Sequence, residues 1–297
     1  MIEGILLNHH ESLVKAGAFD SIDSNRSKLF GNIPKVLEEL DQARQNANQG
    51  SLFDLFGSED ESQDSGLPRF ELDEYPAWTL KDGLQMEKQA LGYYFSASLF
   101  DEYQDIVRKL GITPLSHYSI DNEDMQDLIN GRNNRREKVL ICGVINYMGS
   151  RPLKKGGKMS FINIEDDVGS LEFVVFNEEF EKYKPLFKMD EFIFVTGELM
   201  YDAFRNQIKV TAKHISTLDE ILLEQINNVM LTVNHEIKPE YFQQFLSDNG
   251  VAKVSLNYNN MHAKCKINLG AEYKFVVNYD NLCRLNQLVG KHNWSIN

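Results

Sequence analysis

The chain has 297 residues, 42% of them hydrophobic and 25% charged, enough to bury the cores of about two or three modules. Its apolar runs, such as Phe192 to Val195, fall short of the roughly 18 to 20 residues a membrane span needs. Met1 to His10 contain one acid and no Lys or Arg, so the basic start of a secretory signal is missing and a cytoplasmic location is expected.

Cys142, Cys265 and Cys283 are widely spaced with no CxxC, and the histidines show no i, i+4 pairing of a helical zinc site. Each thiol is expected in a core, and neither metal nor other cofactor is expected. The net charge of −13 argues against a polyanionic partner only if it is evenly spread, and it is not. From Asp54 to Glu74 eight acids face Arg69 alone, whereas from Arg132 to Lys158 eight bases face Glu137 alone.

In chain order, residues 1–45 read as short helices. Leu6, His10, Leu13 and Val14 keep helical spacing up to Gly17, and a second helix is expected from Pro34 with Val36, Leu37, Leu40, Ala43 and Ala47 on one face. Residues 46–68 are polar, acidic and rich in Gly and Ser, the composition of a flexible linker. Leu52, Phe53, Leu55 and Phe56 stand out within it. Residues 69–137 form a helical connector, with Leu80, Leu84, Leu91 and Tyr94 at helical spacing and Leu99 to Leu110 ending at Gly111.

At residues 138–215 the period changes to that of strands: Val139 to Met148, Met159 to Glu165, Ser170 to Phe176, Glu191 to Met200 and Gln207 to Ala212. Asp167-Val168-Gly169 supplies a hairpin turn, and Phe180, Tyr183 and Leu186 mark a helix between the third and fourth strands. Five strands with a helix in that place give the order of an OB-fold barrel. After a connector over 216–228, residues 229–297 read as a small α+β module: strands at Val229 to Val233, Ala252 to Leu256, Ala263 to Leu269 and Tyr273 to Val277, a helix from Pro239 to Asn249, and a last helix capped by Asp280 and stopped by Gly290. The fold class is therefore α+β and multi-domain, with an N-terminal helical segment, a five-stranded OB-fold β-barrel and a small C-terminal α+β module.

Between the first two barrel strands, Arg151, Lys154, Lys155 and Lys158 surround Gly156-Gly157. In OB-folds this loop and its strands form the oligonucleotide face, where the bases would neutralise phosphates and Phe161 could stack a nucleobase. The same loop is also read as a charged hairpin kept soluble by lysine, and the strand register of Phe161 stays open. From Lys138 to His214 the barrel carries eleven bases and eleven acids, a balance that predicts weak binding. Arg132, Arg135 and Arg136 either continue a phosphate track or form a solvated loop. Trp78 and Trp294 read as packing residues. Asp166-Asp167 and Glu178-Glu179 sit at a turn and a helix start, where acids are favoured without a metal.

Several segments carry a family resemblance. Leu13-Val14-Lys15-Ala16-Gly17-Ala18-Phe19-Asp20 resembles the end of the helix-hairpin-helix region of the bacterial polymerase III alpha subunit. Glu87-Lys88-Gln89-Ala90-Leu91-Gly92-Tyr93-Tyr94 is similar to that family's connector helix, and Lys155-Gly156-Gly157-Lys158-Met159 with Leu171-Glu172-Phe173-Val174-Val175-Phe176 to its OB domain. Ser96-Ala97-Ser98-Leu99 departs from the family's Ser-Gly-His-Pro turn. The resemblance implies a non-catalytic C-terminal region of a replicative DNA polymerase, whose polymerase site lies upstream in domains this chain does not contain, so no polymerisation is expected from it alone.

Gln49-Gly50-Ser51-Leu52-Phe53 resembles the Q-x-x-L-F pentapeptide of bacterial sliding-clamp partners. Gln49 would hydrogen-bond at a pocket rim, Ser51 would occupy a spacer position, and Leu52 and Phe53 would fill an apolar cleft. Packing of Leu52 and Phe53 on the chain's own helices is the competing reading, and Leu55 and Phe56 offer another register. The implied partners are the sliding clamp (beta subunit), single-stranded DNA and, through residues 229–297, the clamp-loader tau subunit. An RNA-binding OB module like the anticodon domain of a class II aminoacyl-tRNA synthetase is the alternative, and a protein-binding OB module is a third.

Overall fold

The computed structural model describes residues 2–53, 71–131, 137–153, 157–233, 239–259 and 264–297. The chain divides into two compact units, Met1–Glu102 and Tyr103–Asn297.

In the first unit α1 (Ile2–Lys15) ends where Gly17 takes a φ of +81°, as its sequence predicts. The next helix, α2 (Arg26–Phe53), differs from expectation at both ends. It begins well before Pro34 because the Asn25 side chain accepts the Lys28 N–H at 3.2 Å, an N-cap. Pro34 then lies inside the helix and leaves the Phe30 carbonyl without its helical donor. At the other end the helix continues past Asn46 to Phe53, through the first part of the segment expected to be linker. Polar composition describes a solvated helix as well as a flexible chain, and Gln45, Ala47 and Gln49 are sound helix formers. Residues 54–68 of that segment lie outside the described residues.

Extended residues after Glu71 are tied to α2 by buried Asn32, which donates to the Asp73 carbonyl and accepts the Asp73 N–H, both at 2.9 Å. Trp78 packs against Phe30 at 5.7 Å. Helix α3 (Leu80–Leu91) starts at Thr79, whose hydroxyl oxygen accepts from Asp82 N–H at 3.1 Å, and ends at Gly92. Its Glu87 is 0% exposed. It accepts the N–H groups of Phe95 and Ser96 at 2.9 Å each and the Ser96 hydroxyl, with Arg26 Nη1 3.5 Å away. Burial alone would raise the Glu87 pKa, but these donors and the guanidinium together hold it below the ordinary glutamate value.

The second unit opens with α4 (Gln104–Lys109) and α5 (Gln126–Ile129), joined by short 3-10 turns at Leu115–Tyr118 and Glu123–Met125. A closed barrel follows, built from β1 (Lys138–Pro152), β2 (Lys158–Glu165), β3 (Ser170–Phe176), β4 (Phe192–Asp202) and β5 (Gln207–Ser216), with α6 (Asn177–Tyr183) between β3 and β4. The strand order β1-β2-β3-β5-β4, with only β3 and β5 parallel, is that of an OB-fold. One long strand closes the barrel by using its first half to pair with β4 and its second half to pair with β2. Ile141, Ile145, Ile162, Ile164, Phe173, Val175, Val195 and Val210 fill the interior, each essentially inaccessible.

The barrel leads through α7 (Leu218–Gln225), which has a Thr217 and Glu220 capping box, into the C-terminal module. There β6 (Asn228–Val233), β8 (Lys253–Asn259), β9 (Lys264–Asn268) and β11 (Trp294–Ile296) form a sheet of order β11-β6-β8-β9, and β7 (Leu246–Ser247) pairs with β10 (Lys274–Phe275). The segment expected as a helix from Pro239 is a 3-10 turn, Pro239–Phe245, leading into β7. Helix α8 (Tyr279–Val289) packs through Leu282, Leu285 and Val289. Its N-cap is Asn278, whose side chain accepts the Asn281 N–H at 2.8 Å, and not Asp280, which lies in the first turn.

Of the three thiols expected in cores, Cys142 is buried, Cys283 half-buried and Cys265 exposed on β9. The exposure of Cys265 follows from its place on an edge strand whose side chains are all exposed. Trp294 is buried, with its indole N–H donating to Asn286 Oδ1 at 3.0 Å.

Candidate nucleic-acid interface

The outside of the barrel has two different faces. On the β1–β4 side, Cys142, Val144, Phe192 and Phe194 are buried although they do not belong to the interior cluster. There the Tyr103 ring stacks on Phe192 at 4.2 Å, with Tyr279 5.5 Å from Tyr103. Burial pushes the Cys142 thiol far above its ordinary pKa, so it is an unreactive core group. The opposite face, formed by the second half of β1 with β2, β3 and β5, stays open.

A bulge between Ile145 and Tyr147 adds an aromatic ring to the open face. Ile145 points into the barrel and is fully buried, whereas Tyr147 is 55% exposed on the outer face. Strict alternation would have put both on one side. Beyond the bulge, Tyr147 pairs with Asn163, Gly149 with Phe161 and Arg151 with Met159. Ile162 and Ile164 face the core, which places Phe161 outside.

The rings of Tyr147 and Phe161 lie 6.1 Å apart at 26°, and the Arg151 guanidinium carbon sits 5.4 Å from the Phe161 centroid. Gly149 permits this, because a Cβ there would overlap the Phe161 ring. Phe176 on β3 and Met200 on β4 are 42% and 41% exposed.

The structure thus brings Phe161 and Arg151 together as one element of the expected site. Lys158 is exposed but belongs by register to the other pleat face, at the barrel rim. Lys154, Lys155, Arg132, Arg135 and Arg136 lie outside the described residues. Sequence reading missed Tyr147 and Phe176, which alternation alone does not separate from core aromatics. Gln49, Ser51, Leu52 and Phe53 fall on the closing turns of α2.

Toward β5 the open face becomes charged and internally neutralised. Lys209, only 6% exposed, places its Nζ 2.6 Å from Glu172 Oε1 and 3.0 Å from Asp202 Oδ2. Its ammonium, followed by the Arg205 and Phe204 N–H groups, holds Asp202 below the usual aspartate range. A base so engaged is a poor phosphate ligand. Arg151 and the rim lysine are the better ones. Among the described residues no helix is long and apolar enough to cross a membrane.

Residues 139–218 match the OB-fold nucleic acid binding domain family. The DNA polymerase III subunit alpha of Haemophilus influenzae is 24% identical to the chain over 287 residues, a stretch covering 95% of this chain and 24% of that protein. The chain is similar to the DNA polymerase III alpha subunit along nearly its whole length. The alpha subunits of Neisseria meningitidis serogroup B and Aquifex aeolicus are 28% and 27% identical, over 70% and 76% of this chain and 16% of each relative. The chain spans about a quarter or less of the length of these alpha subunits. The SSB domain of a Synechococcus sp. protein overlays 29% of the chain with a TM-score of 0.26 and 8% identity, too distant to carry an argument.

Proposed function

We propose that this chain is the non-catalytic C-terminal region of a replicative DNA polymerase, and that it holds single-stranded template DNA on the open face of its barrel. The observation that carries the reading is the pairing of exposed Tyr147 with half-buried Phe161 on the outer face, with Arg151 over the Phe161 ring. Bases stack on such rings irrespective of sequence, while flanking cations neutralise the backbone. The OB family match and the alpha-subunit similarity support it.

Within the same proposal, Gln49, Ser51, Leu52 and Phe53 bind the sliding clamp, and residues 229–297 dock on the clamp-loader tau subunit. The pentapeptide pattern supports the first contact, and the alpha-subunit similarity along nearly the whole chain supports the second.

The test is a titration of the 297-residue chain with labelled single-stranded DNA, and with RNA of the same sequence, at several salt concentrations. Binding to DNA should weaken steeply with salt, and Arg151→Ala with Lys158→Ala should flatten that slope by roughly 0.7 per lost phosphate contact. A slope unchanged by both substitutions would remove this face from the site, and a preference for RNA would favour a transfer-RNA-type OB module instead.

A further inference from the structure

At one end of the open face lies a cleft of about 700 Å³ whose lining includes Tyr147, Asn163, Glu172, Asn206, Gln207 and Ser116. Its walls are fixed in place. The 3-10 turn at Leu115–Tyr118 is pinned by Asp166, whose Oδ2 accepts the Leu115 N–H at 2.7 Å. Asn206 is held at a φ of +51° with its Oδ1 accepting from the Tyr201 hydroxyl at 2.7 Å. Asn163 donates to Asn146 at 2.9 Å, and Glu172 is gripped by Lys209.

The chemistry of the lining selects a class of ligand. Among the described lining residues there is no Lys, Arg or His, and the single charged group is the Glu172 carboxylate. Phosphate is therefore disfavoured there. An exposed ring beside amides and hydroxyls suits a flat, neutral, hydrogen-bonding group, which stacks on Tyr147 and turns an edge toward Asn163 and Gln207. An ionised carboxylate has up to four acceptor sites and no donor; Lys209 and Gln207 meet Glu172 Oε1 at 2.6 and 3.5 Å and Arg205 reaches Oε2 at 3.5 Å, which leaves one Oε2 site for a further donor. It matches an exocyclic amine and mismatches the carbonyl that thymine presents at that position.

We propose that this cleft receives one unstacked nucleobase of the bound strand and prefers a base with an exocyclic amine, cytosine over thymine. The proposal rests on the reading that the open face binds single-stranded DNA.

The experiment compares fluorescence anisotropy of the full chain with labelled oligo(dC), oligo(dT) and an oligo(dC) whose N4 positions are dimethylated. Oligo(dC) should bind about fivefold or more tightly than the other two. Glu172→Gln should bring oligo(dC) and oligo(dT) to parity, and Lys209 keeps Asp202 as its partner in that variant. Asn163→Ala should weaken both. The dimethylated oligomer tests the same contact on the unaltered chain, so the result does not depend on whether a variant folds. Equal affinity for the three oligomers, or a cytosine preference that survives Glu172→Gln, overturns the cleft assignment and leaves the general reading standing. Absence of binding to every oligomer overturns both.

Discussion

In the proposed binding face Tyr147 and Phe161 would stack bases while Arg151 would meet the backbone. Truncating either ring to Ala should cost about 1–3 kcal/mol of single-strand affinity and leave the salt slope unchanged, because stacking releases no counterions. Anisotropy titrations at three salt concentrations separate this from loss of charge. Phe161 was legible as a candidate from its place beside a basic loop. Tyr147 was not, since its exposure depends on a bulge that local periodicity does not encode.

Buried Glu87 gives a second test at this scale. Glu87→Gln weakens acceptance from Phe95 and Ser96 and the pairing with Arg26, and should lower stability to urea by about 1–3 kcal/mol at neutral pH. The folded-state pKa is depressed, so the carboxylate's contribution is complete above the unfolded value of about 4.3 and is lost as pH falls through the lower folded value. The urea midpoints of parent and variant should converge there. A gap that persists at pH 2 would show that packing, not charge, maintains the turn at Ser96.

Among the elements, helix starts show how a local rule picks the wrong neighbour. Asp280 and Asn278 are both acceptable N-caps by residue type, and the bond to Asn281 N–H selects Asn278. Asn278→Ala should therefore cost about 1 kcal/mol, read as a lower thermal midpoint, whereas Asp280→Ala should cost only the few tenths of a first-turn acid. Equal losses would return the cap to Asp280. Pro34 misled in the same way, being permissible at a helix start and yet sited inside α2, because Asn25 offers an earlier cap. The strands were plain by comparison. Isoleucine, valine, leucine and phenylalanine take most inward positions of β2 through β5, and the Asp166 to Gly169 turn closes as expected, with Asp166 N–H donating to the Gly169 carbonyl at 3.0 Å.

For the molecule as a whole, the proposed clamp contact falls on α2 and the proposed strand binding on the barrel, so the two should respond to separate substitutions. Leu52→Ala with Phe53→Ala should lose about 2 kcal/mol or more of clamp affinity per anchor, measured by surface-immobilised clamp, with DNA affinity and melting temperature unchanged. An unchanged clamp affinity would shift the test to Leu55 and Phe56. Charge segregation, the absence of membrane-length apolar runs, the five-strand order and the helix between the third and fourth strands could all be read from the chain, because they depend on composition and on local period. Which outer face of the barrel is open could not. Tyr103, with Tyr279 beside it from a distant part of the sequence, stacks on Phe192 on one side, and a bulged, shared first strand turns Tyr147 outward on the other. Both facts arise from contacts between residues that no local pattern relates, so only the folded barrel selects the side on which the proposed DNA strand would lie.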